Sequence, residues 1–160
     1  SKQLQDVCMH MAAHDGAAVV EVLQNCVIFN DGTHKEVTDK EVRDDRQLWL
    51  EHGKPMIFGK NKDKGIVLRG TKLEVVTIGE NGITEKDILV HDETTENTGI
   101  HMMLAQMRPP EFPMAFGVIR AYKQPTYNQL FEKQMQEAQE NAKIKCVDDL
   151  LNSGETWEVK

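Results

Sequence analysis

The sequence predicts an α/β fold, and three observations support this. Residues 2–15 place apolar side chains at helical spacing and are followed by Gly16. Residues 17–23 are almost continuously apolar, which is typical of a strand covered on both faces in a parallel sheet. Further along, short apolar segments alternate with turn-like segments, which indicates a small β unit. A helix, a glycine turn and a buried strand form half of a βαβ unit, so we expect an α/β domain that begins before Ser1.

Composition limits the classes of partner. The chain has 160 residues, with Lys+Arg 19 against Asp+Glu 26, and a formal net charge of -7. No basic cluster occurs beyond Lys60, Lys62 and Lys64, so nucleic acid is excluded as the main partner, because its binding depends on neutralising phosphates. The longest apolar run is far shorter than the roughly 20 residues of a membrane span, so no membrane partner is expected.

The spacing of apolar and turn-forming residues predicts the helices and strands of the first half of the chain. The first helix has Leu4, Val7, Cys8 and Met11 on one face. Residues 24–46 are polar and irregular, and a connection of that length is usually functional or wraps a partner. Four strands are then expected in a mostly antiparallel β unit, over residues 47–51, 55–58, 65–69 and 73–78.

The C-terminal half begins with a helix over residues 95–107, because Pro109 and Pro110 follow it. A strand is expected over residues 115–122. Thr126 and Gln129 have the spacing of a capping box, which predicts a helix that runs to about residue 143.

Some histidines and carboxylates are of the residue types found in metal sites and catalytic sites, but they lack the complete motif of either. His10 and His14 share one helix face, as two zinc ligands would, but the intervening residues include no glutamate and no third ligand is evident. We therefore expect an ordinary solvated pair. The carboxylates Asp44–Asp45 and Asp92–Glu93 are expected to form turns and solvated surface rather than to perform acid–base catalysis.

Three cysteines, Cys8, Cys26 and Cys146, have wide and irregular spacing, which fits a reducing compartment and predicts a cytoplasmic protein. Cys26 follows the expected buried strand, where ligands of α/β sheets gather, so its thiol is placed to bind a metal or cofactor. A buried structural cysteine is the alternative, and the residues alone favour it. Cys8 is expected in the core and Cys146 as an exposed thiol.

Several longer segments of the chain can be compared with a known protein family. The segment Val-Glu-Val-Leu-Gln-Asn-Cys-Val-Ile-Phe-Asn-Asp-Gly at residues 20–32 resembles part of the β subunit of 2-oxoacid:ferredoxin oxidoreductases. Segments within residues 41–55, 90–93, 116–127 and 153–157 look like the branch specific for 2-oxoglutarate. The resemblance covers essentially the whole chain.

The resemblance implies an enzyme that uses thiamine diphosphate and Mg²⁺ to decarboxylate a 2-oxoacid. Electrons would pass through a 4Fe-4S cluster to ferredoxin, and the products would be acyl-CoA and CO₂. Cys26 would be one thiolate ligand of the cluster in the intact subunit, and Asn25 would lie near the cluster or thiamine diphosphate. No catalytic residue is assigned to this chain.

The sequence also departs from the family's pattern, because it has neither a Gly-Asp-Gly signature nor a C-x-x-C pair. It therefore resembles the C-terminal portion of a β subunit. Residues 1–30 would end the thiamine diphosphate-binding α/β domain, and residues 31–160 would form a β-rich extension with helices that packs against other subunits. We expect the isolated chain to bind neither cluster nor thiamine diphosphate and to be inactive.

The expected partners are the α subunit, ferredoxin, a 2-oxoacid, coenzyme A and a second β subunit. Trp157 and Tyr127 are candidate interface anchors, because buried aromatic side chains dominate interface energetics. Two alternatives remain open. The chain could be a non-catalytic module that braces subunits, or it could belong to a relative specific for pyruvate or a branched-chain 2-oxoacid.

Overall fold

A computed structural model describes residues 2–159 of the chain. They divide into two compact units. The first contains residues 2–14 and 18–123, and the second contains residues 15–17 and 124–159. Helices accompany one parallel pair of strands and one antiparallel sheet, so the predicted α/β fold class is confirmed.

The N-terminal helix, α1, spans Lys2–Ala12, close to its predicted range. The prediction of a buried strand over residues 17–23 is wrong, because this segment is in no strand and Val19 and Val22 are 94% and 56% exposed. A strand is stable only when a neighbour satisfies its backbone hydrogen bonds. Among residues 2–159, none pairs with this segment.

The polar connection after this segment contains little regular structure, as predicted. Its first part is a tight turn closed by a bridge between Cys26 and Asn30. Two single-turn helices follow, α2 at Lys35–Thr38 and α3 at Arg43–Arg46.

The four predicted strands form, but they divide between two sheets. They are β1 at Gln47–Leu50, β2 at Ile57–Phe58, β3 at Lys64–Arg69 and β4 at Lys72–Thr77. Strands β2, β3 and β4 form the expected antiparallel sheet. Strand β1 instead pairs in parallel with β5, Met114–Gly117.

Strand β5 is shorter than the predicted strand over residues 115–122. It ends at Gly117, whose φ is 95°, in a region that side chains rarely adopt. A Cβ atom there would lie 2.8 Å from the carbonyl oxygen of Leu50. Glycine therefore permits the close approach of β5 to β1 and also ends β5.

Helix α4 spans Thr98–Gln106, within the predicted range, and a short 3₁₀ helix spans Glu85–Asp87. The side chain of Asn97 caps α4 by accepting a hydrogen bond from the Gly99 amide at 2.9 Å. Helix α4 and both sheets contribute to one apolar core, whose buried members are Leu48, Leu50, Met56, Phe58, Ile66, Val67, Leu73, Ile88, Leu104 and Met107.

The second unit contains α5, Tyr127–Asn141, and α6, Val147–Leu151. The predicted capping box is present. The Gln129 amide donates to Oγ1 of Thr126 at 3.2 Å, and the Thr126 amide donates to Oε1 of Gln129 at 2.9 Å. Neither helix has a buried residue. No helix among the described residues is long and apolar enough to span a membrane.

Candidate functional site

The turn around Cys26 presents a thiol to solvent. The amide of Asn30 donates a hydrogen bond to the carbonyl oxygen of Cys26 at 2.9 Å, which closes the turn. Cys26 is free and exposed, so its thiol is accessible and not part of a core. Cys8 is only partly buried, so the expectation that it lies in the core is wrong, because α1 has no buried residue. Cys146 is exposed, as expected, and both cysteines are free.

The backbone of this turn favours the thiolate form of Cys26. Hydrogen bonds from the amides of Phe29 and Ile28, and a weaker one from Asn30, lower the pKa of the Cys26 thiol below its ordinary value. Such bonds stabilise negative charge on sulfur, and the thiolate is the form that binds metals and acts as a nucleophile. The turn is thus chemically suited to one metal–thiolate bond.

The side chain of Asn25 holds the two ends of this turn together. Its Nδ2 atom donates to Oδ1 of Asp31 at 2.9 Å, and its Oδ1 atom accepts from the amide of Gly32 at 2.8 Å. Both polar ends of the Asn25 amide therefore bind the chain that follows Cys26. Asn25 therefore shapes the turn through these two hydrogen bonds.

Three apolar side chains project from the same turn. Val27, Ile28 and Phe29 are 73%, 82% and 89% exposed. Contiguous exposed apolar side chains mark surfaces that contact other protein. The thiol of Cys26 therefore lies beside a surface suited to further packing.

Cys26 has no companion metal ligands among the residues that the structure describes. No group of three or more His, Cys, Asp or Glu side chains among residues 2–159 could hold a metal ion. Iron–sulfur clusters usually need four cysteine thiolates, so Cys26 fits one ligand position and not a whole site.

The predicted histidine pair does not come together on a metal. His10 instead faces Glu93, with Nε2 and Oε1 3.5 Å apart, and the histidine side chain is 42% exposed.

The acidic groups have structural partners. Asp44 pairs with Arg43 at 3.3 Å, and Asp45 pairs with Nζ of Lys64 at 2.8 Å. The Lys64 hydrogen bond lowers the pKa of Asp45. Oδ1 of Asp92 accepts hydrogen bonds from the hydroxyl and the amide of Thr94, at 2.7 and 2.9 Å.

Two buried histidines form a polar cluster that the sequence did not predict. His91 and His101 are 1% and 4% exposed. Their Nε2 atoms each lie 2.8 Å from a backbone carbonyl oxygen, that of Val118 for His91 and that of Asp92 for His101. Nη1 of Arg120 lies 3.1 Å from Nδ1 of His101. The cluster fastens the segment that follows His91 to the chain beyond β5.

One sequence signal could have found His101. It lies three residues before Leu104, and such residues share one helix face. Leu104 is an apolar residue within the predicted helix, and both residues are buried. No comparable local pattern marks His91, whose partner Val118 is distant in the sequence.

A relative that is similar to this chain over nearly the chain's whole length is a subunit of an oxidoreductase. The chain is 32% identical over 159 residues to the 2-oxoglutarate oxidoreductase subunit KorB of Mycobacterium tuberculosis. This match confirms the resemblance to the β subunit of 2-oxoacid oxidoreductases. It covers 98% of this chain and 42% of the relative, so the chain spans less than half of the relative's length. No protein-family model and no solved structure matches the chain.

Proposed function

We propose that this chain is part of the β subunit of an enzyme that oxidatively decarboxylates a 2-oxoacid, with 2-oxoglutarate as the first candidate. The products would be acyl-CoA and CO₂, and ferredoxin would receive the electrons. The supporting observation is the match to a 2-oxoglutarate oxidoreductase subunit over 98% of the chain. A pyruvate- or branched-chain-specific enzyme is the alternative within this class.

Cys26 would supply one thiolate ligand to a 4Fe-4S cluster in the intact subunit. Its exposed sulfur, and the thiol pKa that the amides of Phe29, Ile28 and Asn30 lower, are consistent with this role. When bound, the cluster would carry electrons towards ferredoxin. The amides of Ile28, Phe29 and Asn30 would stabilise the negative charge of the ligated sulfur, which is one way proteins tune such centres.

Asn25 would act next to the cluster by keeping this turn closed. Its side chain already binds Asp31 and Gly32, so its part would be to maintain the conformation in which the amides reach the sulfur of Cys26. We assign no direct contact between Asn25 and a cofactor.

Thiamine diphosphate and Mg²⁺ would be held elsewhere in the intact subunit, because this chain has no Gly-Asp-Gly sequence. We assign none of its residues to them and expect the isolated chain to be inactive. Residues 1–30 would complete the cofactor-binding domain.

The second unit would contact the α subunit or a second β subunit. Tyr127 and Trp157 are 79% and 83% exposed. Leu130, Phe131 and Met135 continue the apolar stripe along α5, and all three are exposed. Large exposed apolar side chains in such a pattern favour association.

We also propose a cytoplasmic location. All three cysteines are free, which suits a reducing compartment.

The enzymatic part of the proposal is tested on the complete complex, purified without oxygen. We expect reduction of ferredoxin or a viologen dye that requires both 2-oxoglutarate and coenzyme A. Pyruvate and a branched-chain 2-oxoacid are the comparison substrates, and a higher rate with either one supports the alternative. A complex that assembles but reduces no acceptor with any of the three would overturn the enzymatic role.

A further inference from the structure

A groove of about 500 Å³ lies beside β1 in the first unit. Its volume is within the range of roughly 300–1,000 Å³ found for small-molecule sites. One part of its lining is apolar, with Trp49, Pro55 and Ile57, and another part contains basic side chains. The lining includes no residue of the Cys26 turn.

Trp49 gives this groove a fixed aromatic surface. Along β1, Leu48 and Leu50 are buried while Trp49 is 38% exposed, so its ring faces outward. The ring stacks on Phe116, with centroids 5.2 Å apart, and its Nε1 atom donates to Oε1 of Gln47 at 3.1 Å. The indole is therefore held in one orientation before any ligand arrives.

Two of the four cations that line the groove already have carboxylate partners. Nε of Arg43 lies 3.3 Å from Oδ1 of Asp44, and Nζ of Lys54 pairs with Glu51. These two ion pairs therefore add no net charge to the groove.

The other two cations, Lys60 and Lys62, form no ion pair among the described residues. The charge of Lys60 does interact with the carboxylate of Asp45, and Glu85 is a third acidic side chain on the lining. They lie on a turn in which the amide of Lys62 donates to the carbonyl oxygen of Gly59 at 3.0 Å. Lys62 has a φ of 54°, which is uncommon for a residue with a side chain and often marks a functional position. The lining thus has four basic and three acidic side chains, which leaves one net positive charge for an anionic group in a chain of net charge -7.

We propose that this groove binds an adenine nucleotide, with the base stacked on Trp49 and the phosphate groups between Lys60 and Lys62. A planar ring that bears phosphates matches both parts of the lining, because bases stack on aromatic side chains and lysine binds phosphate as a point charge. The ligand is either a free nucleotide or the nucleotide portion of coenzyme A. The coenzyme A version rests on the proposed function, and the free-nucleotide version does not.

Binding is measured by fluorescence on the 160-residue chain with Trp157→Phe, so that Trp49 is the remaining tryptophan. The probes are ADP, adenosine, inorganic phosphate and coenzyme A. We expect saturable quenching by ADP, with adenosine and phosphate each weaker by about tenfold or more. Equal affinity of coenzyme A and ADP supports a nucleotide site as such, and tighter binding of coenzyme A supports the coenzyme A version.

Charge-neutral variants test the lysines. The Lys60→Gln/Lys62→Gln double variant is expected to raise the Kd for ADP by about tenfold. The matched control is Lys143→Gln/Lys145→Gln, which removes the same charge at the same spacing in the second unit and should leave the Kd unchanged.

The proposal is overturned by any of three results. These are no saturable quenching by ADP at millimolar concentration, equal affinity for ADP and phosphate, and equal effects of the two double variants. None of these results depends on a cluster or on turnover, so this proposal and the proposed function can fail separately.

Discussion

Nη1 of Arg120 lies 3.1 Å from Nδ1 of His101. Because a guanidinium group can only donate hydrogen bonds, Nδ1 is the acceptor. The ring proton is therefore on Nε2, which donates to the carbonyl oxygen of Asp92 at 2.8 Å. This contact fixes the tautomer of a buried histidine, and the same Nη1 atom also donates to the carbonyl oxygen of Thr95 at 2.8 Å.

The first prediction concerns this pair. Arg120→Met should lower the free energy of unfolding by about 1–3 kcal/mol, because it leaves Nδ1 of the buried His101 without a donor. His101→Asn should lower it by a similar amount, because it removes a buried side chain that binds both Arg120 and the Asp92 carbonyl. The double variant should lose less than the sum of the two, since the residues share one contact. Urea unfolding followed by Trp49 fluorescence, with Trp157→Phe, measures this. Arg69→Met, which removes an exposed ion pair with Glu74, should change little. Full additivity would show that the contact is not formed.

The second prediction is a loss of stability in acid caused by His91. Burial, the largest cause, lowers the pKa of His91 below 6.5, and the nearby His101 and His52 lower it further, against opposing effects of the Val118 carbonyl and Glu93. The unfolded chain therefore binds a proton more readily than the folded chain. The stabilisation from neutral His91 is complete above the unfolded pKa and is lost as pH falls through 6.5 towards the folded pKa.

The variant His91→Gln keeps a side-chain donor for Val118 and cannot titrate. Between about pH 7.5 and about pH 5, its urea midpoint should fall less than that of the wild type. His14→Gln is the control, and its pH dependence should match that of the wild type. If His91→Gln and the wild type have parallel pH profiles, His91 does not titrate as described.

The third prediction concerns Gly117. Gly117→Ala should destabilise the first unit by more than about 1 kcal/mol, because its φ of 95° is strained for alanine and its Cβ atom would lie 2.8 Å from the Leu50 carbonyl. Gly53→Ala separates the two causes, since Gly53 has a φ of 74° with no atom within 4 Å of a Cβ. Urea unfolding measures both. Equal losses would mean that the approach to Leu50 contributes nothing.

The fourth prediction concerns the start of α5. Thr126→Ala removes the hydroxyl that accepts from the Gln129 amide and should destabilise the helix by about 1 kcal/mol. Far-UV circular dichroism should show lower helicity and an earlier thermal transition. Asn128→Ala, within the same turn, should leave helicity unchanged or raise it. Unaltered helicity in Thr126→Ala would contradict the observed cap.

Local patterns predicted local structure in this chain. The segments that became β1 to β4 and the capping box at Thr126 were predicted because alternation, turns and caps depend on neighbouring residues. The parallel pairing of β1 with β5 was not predicted, because the two strands are distant in the sequence. The strand expected over residues 17–23 did not form, since a strand needs a partner that the described residues do not provide.

The candidate site was predicted only in part. The sequence identified Cys26 as a candidate ligand. The backbone amides that lower the pKa of its thiol could not be predicted, because they belong to a turn that Asn25 and Gly32 hold closed. The buried position of His91 was missed for a similar reason, since its partner is a carbonyl 27 residues away. Residue types were enough to identify candidate ligands. The burial and hydrogen bonds of those residues could not be predicted, because they depend on contacts between segments that are distant in the sequence.

The central claim is that Cys26 is a ligand of the iron–sulfur cluster in the complete subunit. The most direct measurement is the iron, acid-labile sulfide and visible absorbance of that subunit, purified without oxygen as wild type, Cys26→Ser and Cys146→Ser. We predict that Cys26→Ser loses the cluster while the subunit still assembles, and that Cys146→Ser keeps it. Wild-type iron and sulfide in Cys26→Ser would contradict the claim and would favour the alternative of a module that braces subunits.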